Sequence, residues 1–242
     1  MQSFMKGVLI GFLLAALFPG RALTDNGDMP AVMTIEPDVR ISGKLYSFTM
    51  DSDGSYYLAD NWAEGSVTLT NGETARSELL KYNSFLGELI WLAPETYTAV
   101  QVDKNLVRRF TLNLPGMTEP AVFQRLRIRV PLEADSMNIY AQQLYSGDIG
   151  LVARRRVVVT GERLESTRGT LRSVPRLRPD PVYYVLIDGT DAYEVNRLNR
   201  RSLYRIFPEH RREIRAGFRD ERLYIRSEQD LIRAVSIINR IL

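Results

Sequence analysis

Arginine carries the most concentrated chemistry in this sequence. Arg125, Arg127 and Arg129 stand at alternate positions of one stretch. Side chains at i, i+2 and i+4 of a strand project together, so these three guanidiniums can form a strip that takes an anion through paired hydrogen bonds. On the solvated face of a half-buried strand the same residues need no ligand. Arg154, Arg155 and Arg156 are consecutive, and neighbours on a strand point to opposite sides. Either Arg155 turns inward and is paired, or the triplet marks an edge strand where charge blocks edge-to-edge association. Arg125, Arg127, Arg129, Arg154 and Arg156 are therefore the candidate anion- or partner-binding residues.

Other chemistries are restricted by composition. The 242 residues contain no cysteine and one histidine, His210. Disulfides, thiolate zinc sites and cysteine nucleophiles are thereby excluded, and any triad or multi-histidine metal site would have to be built on His210 alone. Phosphate-cradling glycine motifs and the Gly-x-Ser-x-Gly elbow are missing. Asp51-Ser-Asp53-Gly54 resembles the start of a calcium loop but lacks its closing glutamate, and reads as an acidic turn. Trp62, Trp91, Tyr56 and Tyr57 could stack on sugars, and core or hairpin packing accounts for them equally. No cofactor and no metal site is expected, and nucleic acid is not an expected partner because no aromatic-basic RNA motif is present.

The elements that must position these groups follow from patterning. Lys6, the 11-residue apolar run Val8 to Phe18 and the small residues Gly20 and Ala22 read as a signal peptide over 1–22, with a mature chain from Leu23. The alternative, a membrane anchor, needs about 20 apolar residues. The expected location is thus the periplasm or cell surface. Net charge is +3 for the full sequence, yet residues 23–150 hold 10 basic against 17 acidic groups (−7), and residues 151–242 hold 20 arginines against 12 acids (+8). Such halves attract each other or meet partners of opposite charge.

From Gly65 to Val159 short β-branched and aromatic runs alternate with turns, among them Asn71-Gly72, a two-residue hairpin signal. Ala121 to Val130 is expected to bury Val122, Leu126, Ile128 and Val130 and to expose its arginines. The stretch 160–181, with five arginines and Pro175, Pro179 and Pro181, reads as a basic linker. A hairpin from Val182 precedes a short helix over Arg201–Phe207, a second from Pro208 to about Gly217, and a last one capped by Ser227. The fold class expected is α+β: a predominantly antiparallel sheet, sandwich or partly closed barrel, over 23–159, and a helical C-terminal segment over 182–242.

Three stretches, Gly65-Ser-Val-Thr-Leu-Thr-Asn-Gly72 with Leu79-Leu-Lys-Tyr-Asn83, then Leu144-Tyr-Ser-Gly147, then Ser202-Leu-Tyr-Arg-Ile-Phe-Pro208 through Leu223-Tyr-Ile-Arg-Ser-Glu-Gln-Asp-Leu231, resemble uncharacterised exported proteins of Bacteroidetes-type Gram-negative bacteria. The resemblance implies an envelope location and supplies no catalytic residues; the 160–181 insert does not match it. The expectation is a non-enzymatic envelope protein that binds another envelope component, a protein or an anionic glycolipid, through its β-domain and its Arg-rich C-terminal module. A glycan hydrolase with paired carboxylates and a purely structural module are the alternatives. Mass spectrometry of the exported protein checks the leader: an N-terminus at Leu23 is expected, and retained Met1 contradicts it.

Overall fold

The computed structural model describes residues 41–129, 136–167, 170–187 and 191–242; the expected leader and mature start lie outside the described residues. The strands are β1 (Gly43–Leu45), β2 (Ala63–Leu69), β3 (Thr74–Asn83), β4 (Glu88–Ala93), β5 (Thr98–Val102), β6 (Val107–Leu112), β7 (Ala121–Arg129), β8 (Ser136–Tyr145), β9 (Ile149–Arg154), β10 (Val157–Thr167), β11 (Thr170–Pro179), β12 (Val182–Ile187) and β13 (Asp191–Glu194). Helices α1 (Arg200–Ile206), α2 (Arg211–Asp220) and α3 (Glu228–Ile241) follow. The fold is α+β and mostly antiparallel, and the sheet stays open with sandwich-like layering. Among the described residues the main sheet runs β1-β5-β4-β3-β2-β6-β7-β8-β9-β12-β13. No helix among them is long and apolar enough to cross a membrane.

Local chemistry sets the meander. Between β2 and β3, Gly72 adopts φ 94° and the Asn71 side chain accepts from the Glu73 amide at 3.0 Å, the turn that Asn71-Gly72 signals. One face of the sheet then holds two apolar cores side by side. The first is aromatic: Phe110 and Phe123 stack at 4.8 Å, and Tyr140 meets Phe110 edge-on at 5.0 Å. The second forms where Leu151, Ala153, Tyr183 and Val185 of β9 and β12 pack under α2 and α3. Tyr140 and Gln142 are two apart on β8, and Gln142 lies opposite Ala153, so both cores share this face. Ile128, Ile139, Ala141, Val152 and Tyr184 form a third core on the other side.

This arrangement corrects the reading of β7. Its arginine side is not simply solvated, because Ala121 and Phe123 on that side are buried in the aromatic core, while Ile128 is buried on the opposite side. The strand borders two cores at different points along its length, and a single alternation cannot report that. Val130 lies outside the described residues.

The stretch expected to be a linker is instead the ribbon β10–β11, paired from Val157↔Pro179 to Thr167↔Thr170. Its base is fixed by backbone bonds: Asp53 donates to the Pro175 carbonyl (2.9 Å) and accepts from the Leu177 amide (2.7 Å). Gly54, at φ 109°, allows this approach, since a Cβ there would sit 2.7 Å from the Leu177 carbonyl oxygen. Pro175 and Pro179 are tolerated because, among the named strands, β11 is an edge strand paired only with β10, and on its other edge the contact with Asp53 uses the Pro175 carbonyl and the Leu177 amide, not a proline nitrogen. β12 pairs with β9 along its full length, so the C-terminal segment continues the same sheet.

Helix α2 begins at Arg211, three residues after Pro208, and runs past Gly217 to Asp220. Gly217 is a packing residue rather than a stop: a Cβ would lie 2.8 Å from Ile241 Cδ1 of α3. Ser227 caps α3 in a full capping box with Asp230. At the far end of α3, Asn239 Oδ1 accepts from the Ile149 amide at 2.7 Å, directly over Gly147 in the β8–β9 turn. A Cβ at Gly147 would stand 2.7 Å from the Asn239 side chain, so Gly147→Ala is expected to displace that amide and lower stability by about 1–3 kcal/mol. Urea unfolding at constant m-value checks this.

Candidate functional site

The two cores on the shared face are separated by a polar seam. Arg155, in the link between β9 and β10, donates from Nη1 to Glu228 Oε2 (2.6 Å), from Nη2 to Oε1 (2.9 Å), and from Nε to Gln142 Oε1 (2.6 Å). Every face of the guanidinium fork is used, the geometry in which Arg–carboxylate pairs are strongest. The Tyr183 hydroxyl of β12 lies beside Glu228 and favours its charged form. It is the first residue of α3 after the Ser227 cap, where the helix dipole favours negative charge.

The ionisation states follow. Burial opposes the Glu228 charge, but the hydrogen bonds and charge of Arg155, with the Tyr183 hydroxyl, outweigh it and hold the carboxyl below the usual glutamate range. Burial pushes Tyr183 up to about 12, and the Glu228 carboxylate beside it adds to the shift. The seam is therefore an ionised, internally neutralised pair with a neutral tyrosine beside it.

A cleft of about 620 Å³ opens along the seam. Arg155, Glu228 and Gln142 line its floor; Leu114, Met117 and Ile232 supply apolar wall. Ser84 also lines it, is 3 % exposed, and its Oγ has no hydrogen-bond partner among the described residues, while its carbonyl accepts from the Val157 amide. A buried hydroxyl without a partner is uncommon in a folded chain. The arrangement suits recognition of a ligand with both apolar and hydrogen-bonding parts.

The candidate arginines named from the sequence do not form one strip. Arg125 reaches the rim of the aromatic core, opposite Tyr140 on β8, and donates to the carbonyls of Lys104 (2.9 Å) and Asn105 (2.8 Å). Arg127 is exposed opposite Asn138. Arg129 pairs through its backbone with Ser136, and its side chain lies outside the described residues. Arg154 bonds Tyr184 on the other face of the sheet. Arg156 is tied to Asp180 at the ribbon base, donating from Nε at 2.9 Å. Of these, Arg156 alone lines the cleft. The central residue is Arg155, the member of the triplet omitted from the candidates, and the alternative of an inward, paired Arg155 is the one realised.

His210 is exposed ahead of α2 and makes no side-chain capping bond. Asp51 and Asp53 pair with Arg172 (2.6 Å) and Arg176 (3.2 Å) of the ribbon, which gives the acidic turn a docking role. Among the described residues no group of three or more Asp, Glu or His converges as a metal site.

No family model matches this chain, and no curated protein or solved structure matches it. The functional reading rests on the residues themselves.

The pair predicts two pH windows. Because Glu228 ionises more readily folded than at its ordinary value of 4.5, its stabilisation is present above that pH and is lost as pH falls through the folded value. Because Tyr183 is raised from 10.0, its contribution is present below pH 10 and is lost as pH climbs toward about 12. Glu228→Gln is expected to cost about 2 kcal/mol at neutral pH, less than a fully buried pair, and to flatten the acid limb. Stability curves from pH 3 to 11 check both limbs, with Tyr183→Phe flattening the alkaline one.

Proposed function

We propose that this chain is a non-enzymatic exported protein of the periplasm or cell surface that binds another envelope component, a protein or an anionic glycolipid, and that the cleft along the Arg155–Glu228 seam is where its sheet holds that component. The leader-like sequence over 1–22 supports the location. The cleft carries the binding reading: its charges are already neutralised against each other, its walls are part apolar, and the Ser84 hydroxyl is left for an incoming group. A carboxylate clamped by a fork of arginine hydrogen bonds is poorly placed to move a proton, which favours binding over acid–base chemistry at Glu228.

One observation keeps the glycan-hydrolase reading as a second possibility, since Glu119 and Glu228 line the same cleft. It requires that Glu119→Gln abolish release of reducing sugar from envelope glycans; unchanged or absent release in both proteins removes it.

A photo-crosslinking side chain placed at Met117, half-exposed in the cleft wall, tests the binding reading in whole cells, with exposed Leu45 on β1 as control. A discrete crosslinked envelope component at 117 and none at 45 is expected. Equal labelling at both positions contradicts a cleft-bound component.

A further inference from the structure

We infer that the groove around α1 is a second binding site, for a ligand carrying two or more phosphoryl groups close together. The inference rests on the reading of the C-terminal part as a binding module and does not use the cleft.

The groove, about 860 Å³, is lined by Arg197, Arg200, Arg201, Arg205 and Arg226, and no carboxylate is among its lining residues. Several other arginines of the C-terminal part are paired with acids, and Arg178, Arg211, Arg212, Arg215 and Arg222, which form no ion pair among the described residues, do not line the groove, so it is the clustering of unpaired charge that sets the groove apart. Arg155 and Arg156 find Glu228 and Asp180, Arg172 and Arg176 find Asp51 and Asp53, and Arg233 and Arg240 share Glu221. None of the five groove arginines forms an ion pair with any carboxylate among the described residues. Arg197, Arg201 and Arg205 are exposed and make no side-chain hydrogen bond there either.

The groove is also partly organised in advance. Arg200 donates from Nε to the Leu223 carbonyl at 2.8 Å, with Nη2 on the same oxygen, and lies 4.7 Å over the Tyr224 ring. Arg226 approaches the same ring at 6.0 Å. Tyr224 is 65 % exposed, so it is the arginines, and not a core, that hold it. Holding like charges together in one concavity raises the free energy of the empty protein and favours an anion brought from outside.

Charge and shape select the class. Guanidinium forks match phosphoryl oxygens in pairs. One phosphoryl group brings about −1.5 to −2 charges at neutral pH, so two are needed to approach the five positive charges of the lining. A single carboxylate or monophosphate leaves most of them unbalanced.

Calorimetric titration of the whole protein with pyrophosphate, orthophosphate and sulfate tests this. Pyrophosphate is expected to bind at least about tenfold more tightly than either other ion, less tightly as salt rises. The triple variant Arg197→Ala, Arg201→Ala, Arg205→Ala is expected to lose at least about tenfold in affinity at an unchanged melting temperature; should it melt early, Arg205→Glu alone must show the loss. Pyrophosphate no tighter than sulfate, or a variant that binds like the wild type, overturns the inference. Sedimentation with phosphatidylcholine vesicles containing cardiolipin separates the sources: vesicle binding competed by pyrophosphate assigns a lipid headgroup, and pyrophosphate binding without vesicle binding assigns a soluble phosphate. Loss of the phosphate result with crosslinking at position 117 intact refutes this site alone and leaves the cleft reading standing.

Discussion

The Arg155–Glu228 ion pair is the constraint around which the described part of the chain is arranged. It stands where the aromatic core of the β2–β8 sheet gives way to the helical core over β9 and β12, and four separate pieces of sequence meet on it: Gln142 of β8, the β9–β10 link, Tyr183 of β12 and the first turn of α3. Taking two ions partly out of water is costly, and the attraction between them repays it only where the remaining hydrogen-bond capacity is also used. Here Gln142 takes up the Arg155 Nε, the nearby Tyr183 hydroxyl favours the Glu228 charge, and Glu228 stands at a helix N-terminus. The same bond sets the cleft: it spaces the start of α3 from the sheet and leaves the floor polar but without net charge.

The division of the sequence into an acidic and a basic part has three destinations in the fold. Some of it is spent on docking, where Asp51 and Asp53 receive Arg172 and Arg176 and fasten the ribbon; these pairs are exposed, and each contributes no more than about 1 kcal/mol. Some of it stays within the basic part, as in Arg155–Glu228 and Arg156–Asp180. A further share remains unbalanced in the groove beside α1, where acids are missing from the lining. Internal docking and external binding are therefore not rival explanations of the asymmetry, since different arginines serve each.

Local signals were enough for much of this architecture. Asn71-Gly72 and the Ser227 capping box are short-range devices, and β2, β3 and α3 form where those devices stand. The ribbon was unreadable as strands because only a few of its side chains, Val157, Val174 and Leu177, are buried: Leu164 and Leu171 are exposed, and its prolines and arginines look like a linker when the Asp51 that receives Arg172 is 121 residues away in sequence. β7 misled for a related reason, since one strand bordering two cores shows no single buried side. The site was half readable. The consecutive arginine triplet shows that one member must differ from its neighbours, but its partner Glu228 looked only like the opening of a helix cap, and nothing in sequence joins positions 155 and 228.

A double-mutant cycle on Arg155→Met and Glu228→Gln, read from unfolding free energies at neutral pH and low salt, tests the central claim most directly. If the pair fastens the helical layer to the sheet, each single variant is destabilised, and the double variant is less destabilised than the two together by about 1–3 kcal/mol. Additive losses, with a coupling near zero, would contradict the account and leave the two side chains as independent surface residues.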